Sequence, residues 1–111
     1  MKKADLLVEL IATYRKHDWQ LKRVLLQPDS RLALTPSELD LLGGVPIAEA
    51  TVDALWFSRP SHHNREAWEL RLLAETQYAL FETFEADETE GQREEVRQEM
   101  ESRLREYVSK D

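Results

Sequence analysis

The sequence contains no cysteine and only three glycines among its 111 residues. Without cysteine, the protein has no disulfide, no thiol nucleophile and no thiolate ligand for a metal. The scarcity of glycine leaves no Gly-rich loop of the kind that holds nucleotide phosphates. We therefore predict no cofactor, no metal site and no catalytic residue. Because a chain without cysteine suits a reducing compartment, we expect a cytoplasmic protein.

The chain also lacks a surplus of basic residues. Lys and Arg number 15 against 22 Asp and Glu, which gives a net charge of −7. Proteins that bind nucleic acid neutralise its phosphates with clustered Lys and Arg. This composition therefore disfavours nucleic acid as a partner.

Long hydrophobic runs are missing as well. No segment approaches the roughly 20 apolar residues that a membrane-spanning helix needs. Two lysines and an apolar stretch stand near the start, but Asp5 and Glu9 interrupt the stretch and no small-residue cleavage site follows. We interpret this segment as a helix rather than an export signal, and we expect no membrane contact.

The apolar residues that are present suffice for one globular domain. Hydrophobic residues make up 41% of the chain, and a chain of this length buries about two-thirds of its unfolded surface. One core can then hold the fold without metals or disulfides. We predict a single α+β domain over residues 1–111.

Two long helices are expected. The first covers residues 3–16, and its apolar stripe at helical spacing consists of Leu7, Leu10, Ile11 and Tyr14. The second runs from about Glu88 to Val108, with Asp87 or Thr89 as its cap. Its apolar residues recur every four positions at Val96, Met100, Leu104 and Val108.

A short third helix is expected after Thr35. Thr35 can cap it, Pro36 suits the first helical position, and Glu38 can close a capping box. Gly43 and Gly44 are expected to end it.

Alternation of apolar and polar residues predicts strands in four segments. The clearest is the segment in which Trp68, Leu70 and Leu72 occupy every second position. The four predicted strands cover about 19–26, 51–59, 65–73 and 77–85. A helix is the main alternative for 19–26, and a turn at residues 27–30 is expected to follow it.

The predicted order is α-β-(short α)-β-β-β-α, with a four-stranded, mainly antiparallel sheet between N- and C-terminal helices. Short connections favour an antiparallel meander of the last three strands. We predict one shared core. Its expected members are Leu10, Trp68, Leu70, Tyr78, Leu80, Phe84 and Leu104.

Large aromatic residues stand on both faces of the predicted strands. Trp56 and Phe57 are adjacent, so they point to opposite faces, and Phe81 opposes Leu80 in the same way. If the helices covered one face only, Phe81 and either Trp56 or Phe57 would form an exposed apolar patch, which is typical of a partner site. The alternative is that the helices divide between the faces, or that residues 28–50 fold over the patch.

The leading functional hypothesis is therefore a protein-binding module whose partner is another protein chain or a second copy. It would use the outer sheet face or the apolar stripe of the C-terminal helix. The predicted interface residues are Trp56, Phe57, Phe81 and Met100.

The alternative hypothesis concerns the loop of residues 58–66. Its Arg59, His62, His63 and Arg65 form a basic group in an acidic protein, which suits an anion or carboxylate. The protein would then be a small anionic-ligand binder or an enzyme with its site at this loop. A polar hairpin loop in water has the same composition.

Overall fold

The computed structural model describes residues 2–110, which form a five-stranded sheet with a long helix on each face. The helices are α1 (Lys3–Lys16), α2 (Pro28–Leu32), α3 (Pro36–Asp40) and α4 (Glu90–Ser109). The strands are β1 (Gln20–Leu26), β2 (Ile47–Glu49), β3 (Ala54–Pro60), β4 (Glu66–Leu72) and β5 (Ala79–Phe84). The α+β class and the terminal helices are confirmed. No helix among these residues is long and apolar enough to cross a bilayer.

Local sequence signals fix the helix ends. The Thr35 side chain accepts from the Glu38 N–H and the Glu38 carboxylate accepts from the Thr35 N–H, so the predicted capping box is present. Thr89 caps α4 in the same reciprocal way with Gln92. The predicted turn after β1 is instead the short helix α2, which begins with Pro28 at its first position.

The strand order is β2-β1-β3-β4-β5, so the sheet has one strand more than the sequence predicted. β1 is a strand, as preferred over the helical alternative, and it pairs antiparallel with β3. β3, β4 and β5 form the predicted antiparallel meander. β2 pairs parallel with β1 and makes the sheet mixed. A strand of three residues is too short to show an alternation, which is why the sequence did not predict it.

The long helices lie on opposite faces of the sheet and create two hydrophobic cores, not one. Leu10 on α1 packs in a core with Leu55 and Phe57 of β3. Leu104 on α4 packs in the other core with Trp56 and Leu70. The prediction of one shared core was wrong because β3 is central and carries buried residues on both faces.

This division of the helices removes most of the predicted apolar patch. Trp56 is 0% exposed, Phe57 1% and Met100 2%, so all three are inside the chain and not on an open surface. Their large side chains are covered because α1 shields one face of β3 and α4 shields the other. Phe81 alone of the four predicted interface residues stays open, at 57% exposure.

Candidate interaction surface at the β5 edge

Phe81 lies on the α1 face of the sheet, beyond the reach of α1. The register places Leu21, Phe57, Glu69 and Phe81 in one row across β1, β3, β4 and β5. Tyr14 of α1 stacks on Phe57 with ring centroids 4.0 Å apart. The Tyr14 hydroxyl donates a hydrogen bond to the Glu69 carboxylate. Helix cover therefore ends at Glu69, one strand short of Phe81.

The Tyr14 to Glu69 contact is a polar rim between the core and the open surface. Burial raises the pKa of the Tyr14 phenol above its ordinary value, and the adjacent Glu69 carboxylate adds to the rise. The phenol therefore stays a neutral donor at neutral pH. This pairing gives Tyr14 and Glu69 a polar partner each at the rim.

Trp19 supports Phe81 from the side of α1. Its ring meets the Phe81 ring edge-on, with centroids 6.3 Å apart and an interplanar angle of 85°. The Arg59 guanidinium covers the Trp19 ring at 4.5 Å from the centroid and donates to the His17 carbonyl at 2.9 Å. One side of the Phe81 ring therefore packs on Trp19, while more than half of the side chain is exposed to solvent.

The outer edge of β5 also presents main-chain groups. The Leu72 N–H donates to the Tyr78 carbonyl at 2.9 Å, and hydrogen bonds alternate along an antiparallel pair. The even-numbered residues of β5 therefore direct their N–H and C=O groups towards β4. The odd-numbered residues that direct theirs outward are Ala79, Phe81 and Thr83. Within residues 2–110 no strand pairs with this edge.

Both arginines of the basic loop are engaged in contacts within the chain. Arg59 is engaged on the β1 side of the β3–β4 hairpin, as described above. Arg65 is engaged on the β5 side, where its Nε lies 2.9 Å from a Glu85 carboxylate oxygen. His62 and His63 are exposed in a 3-10 turn over His62–Asn64. Arg59 and Arg65 nevertheless line one cavity together with Ser61 and Asn64. Anion binding at this loop stays a prediction.

A buried polar cluster under α4 was missed in the sequence. Arg97 is 2% exposed and lies 4.4 Å over the Trp68 ring, and Glu101 is 7% exposed. The Glu101 carboxylate accepts from the Trp56 indole N–H at 2.8 Å. The missed signal is that Arg97 and Glu101 follow Val96 and Met100 by one position each, so they flank the apolar stripe at the same spacing of four.

Glu94 joins this cluster to β1. Its carboxylate accepts from the Arg23 guanidinium at 3.2 Å and from the Arg97 Nε at 2.9 Å. Burial alone would raise the pKa of Glu94, but hydrogen bonds from Arg23 and Gln98 lower it below its ordinary value. The cluster neutralises its own charges, which is the arrangement expected of a structural network.

A second buried carboxylate, Asp53, lies directly before β3. It accepts from the Gln27 N–H and from the Ser30 hydroxyl, both at 2.7 Å, and it pairs with Lys3 of α1. Burial opposes its ionisation, yet the contacts to Lys3, Gln27 and Ser30 lower the pKa of Asp53 overall. The residue ties α1 and the start of α2 to the sheet. These contacts are all to residues of the same fold, so the role of Asp53 is structural.

Among residues 2–110, no group of three or more His, Cys, Asp or Glu side chains is placed to hold a metal ion. No family model matches the chain, and no curated protein and no solved structure shows significant similarity to it. The function therefore has to be argued from the surfaces of the molecule.

Proposed function

We propose that the protein is a protein-binding module that uses Phe81 and the outer edge of β5. The observation that carries the proposal is the 57% exposure of Phe81 on a regular edge strand. Aromatic side chains are enriched in protein interfaces because they bury a large area with few rotatable bonds. An exposed phenylalanine on a sheet gains the most from a partner that covers it.

The surroundings of Phe81 support this role. Trp19 holds the ring on one side, so little side-chain freedom is lost when a partner covers the other. Next to the ring, the unpaired groups of β5 offer main-chain hydrogen bonds to an added strand, a common mode of peptide and protein recognition. An aromatic anchor and a free strand edge thus lie within one surface.

The C-terminal helix is the weaker candidate. Met100 and Leu104 of its apolar stripe are buried against the sheet and cannot serve a partner. Tyr107 and Val108 are 38% and 40% exposed, and Tyr107 is already stacked on Tyr78 with centroids 3.7 Å apart. Most of the apolar stripe of α4 is therefore buried within its own chain.

Replacing Phe81 with Glu tests the proposal. We expect the variant to keep the wild-type circular dichroism and unfolding midpoint, because the side chain is mostly in solvent. We expect it to lose association, measured as self-association by sedimentation velocity and as partner recovery on immobilised protein.

The matched control is Val8→Glu, which places the same charge on an exposed apolar residue of α1, at 42% exposure. It should associate like the wild type. Equal association of the wild type and Phe81→Glu would contradict the proposed surface. Unfolding of Phe81→Glu would show that Phe81 belongs to the core.

A further inference from the structure

We propose that the partner at this surface is a second copy of the chain, whose β5 pairs antiparallel with β5 about a two-fold axis at Phe81. The inference rests on the proposed function and names the occupant of that surface. The two sheets would join edge to edge into one, with the α1 faces of both copies on the same side.

The two edges of the sheet differ in how they are protected. Folded proteins block exposed edges with very short strands, prolines, lysines or bulges, because an open edge recruits another strand. β2 is an edge of three residues that begins directly after Pro46. β5 has six residues, contains neither proline nor lysine, and keeps an unbroken register with β4. Glu82 is the one charged residue of β5, which is otherwise the less protected of the two edges and the one more open to pairing.

The main-chain groups of β5 are symmetric about Phe81. Ala79, Phe81 and Thr83 direct their N–H and C=O groups outward, and Phe81 is the middle of the three. A two-fold axis at Phe81 places Phe81 opposite Phe81 of the second copy, and Ala79 opposite Thr83. Each of these is a hydrogen-bonded pair, so the contact forms about six main-chain hydrogen bonds.

The side chains select this register over its two neighbours. An axis at Glu82 would place two Glu82 carboxylates directly opposite each other, which is destabilising. An axis at Leu80 would place Thr83 opposite residue 77, which lies outside β5, and the outer hydrogen bonds would be lost. The axis at Phe81 instead sets Glu82 opposite Leu80. It is also the register in which every hydrogen-bonded pair lies within the strand.

The same register covers the exposed ring. Opposite residues of a hydrogen-bonded antiparallel pair have Cα atoms about 5.5 Å apart, within reach of two aromatic side chains on the same face. The two Phe81 rings would then pack on the α1 faces between the two Trp19 rings. The exposed aromatic surface of each copy would be buried by the other.

Cysteine trapping tests the register, and the natural absence of cysteine makes it clean. Ala79→Cys and Thr83→Cys keep Phe81 in place, and their sulfurs meet only between copies, at a Cα separation of about 5.5 Å that suits a disulfide. We expect a mixture of the two variants to form a disulfide-linked heterodimer under mild oxidation. Each variant alone should form few linked dimers. Linked dimers from either variant alone, at the rate of the mixture, would overturn the register.

Thr83→Pro tests whether the main chain makes the contact. Thr83 directs its N–H to the outer edge, a position at which an edge strand tolerates proline. The variant should stay folded with Phe81 intact, and dimerisation measured by sedimentation should weaken by at least about tenfold. Thr83→Val keeps the N–H and should dimerise like the wild type. If Thr83→Pro unfolds, the cysteine mixture decides the question.

The outcomes separate this inference from the proposed function. A wild-type chain that stays monomeric up to millimolar concentration, with no heterodimer in the cysteine mixture, overturns the second copy as the occupant. The proposed function would survive that result if Phe81→Glu still abolished recovery of another protein. A dimer that persists in both Thr83→Pro and Phe81→Glu would overturn the β5 dimer, because it would have to form elsewhere. The proposed function would fall as well if Phe81→Glu also left the recovery of another protein unchanged.

Discussion

The two faces of the sheet are covered by helices of different character. α1 buries Leu7, Leu10 and Ile11 and no charged residue. α4 buries Arg97 and Glu101 beside Met100 and Leu104, so half of its buried residues are charged. α1 is attached mainly by apolar burial, with a hydrogen bond from Tyr14 to Glu69 and an ion pair between Lys3 and Asp53. α4 is attached by a narrow apolar stripe with an ion-pair cluster beside it.

This difference shows that the helices are positioned by different means. Apolar burial is not directional, so the orientation of α1 depends on the polar contacts near its two ends, from Lys3 to Asp53 and from Tyr14 to Glu69. The hydrogen bonds from Trp56 to Glu101 and from Arg23 to Glu94 join the sheet to α4 and require defined positions along and around the helix. A buried ion pair adds little net stability compared with an apolar replacement, and its better attested role is to specify an arrangement. We infer that the α4 cluster sets the register of the helix on the sheet.

The largest expected effect compares the apolar cores of the two faces. Leu70 on the α4 face is 0% exposed and Leu7 on the α1 face is 1% exposed. Replacing either with Ala should destabilise the fold by about 2–5 kcal/mol, because each leaves a cavity in a packed core. Urea denaturation measures both. A loss below about 1 kcal/mol for either variant would show that its face is not a packed core.

The next prediction sharpens the contrast by changing Glu101 alone. Glu101→Leu removes the acceptor of the buried Trp56 N–H and should cost about 1–3 kcal/mol. Glu101→Gln keeps an acceptor of the same shape, so it should cost less and should preserve the near-ultraviolet signal of Trp56. Similar losses for the two variants would mean that the charge of Glu101 matters and the indole hydrogen bond does not.

The smallest expected effect is in the pH dependence of stability. The pKa of Asp53 is lowered in the folded chain, so its ionised form stabilises the fold above the ordinary carboxyl pKa of about 4. That contribution is lost as the pH falls from there through the lower folded pKa. Glu94 acts in the same direction on the other face.

Asp53→Asn separates the two contributions. The variant should lose less stability than the wild type when urea denaturation is repeated at successively lower pH, because the Asp53 share of the acid sensitivity is gone. The share of Glu94 should remain. An unchanged pH profile in Asp53→Asn would show that Asp53 does not contribute to acid sensitivity.

The sequence predicted features that depend on near neighbours in the chain. The caps at Thr35 and Thr89 are local, and the alternation in β4 repeats every two residues, so both were visible. The opposite placement of Trp56 and Phe57 was visible too. Which helix covers each of them was not, because that depends on contacts between the sheet and helices that are distant in the chain.

The candidate surface was predicted in part for the same reason. Phe81 was predicted as an exposed residue, and it is exposed. Met100 was predicted from the stripe of α4, but an amphipathic stripe has the same pattern whether it meets its own sheet or another chain. The ion-pair cluster was missed because charged residues such as Arg97 and Glu101 usually lie on the solvent-exposed side of a helix.

The crossover from β1 to β2 has a consequence for motion. It contains α2 and α3, two helices of five residues with no buried side chain, and it is attached through Asp53 and the buried Leu42. Segments with few buried contacts open at a small fraction of the global unfolding free energy. The segment next to β2 should therefore open locally more often than β3. Amide hydrogen exchange measures this difference, with faster exchange expected in α2 and α3 than in β3. A peptide inserted between α2 and α3 should therefore be tolerated, because it would lengthen the segment of lowest local stability.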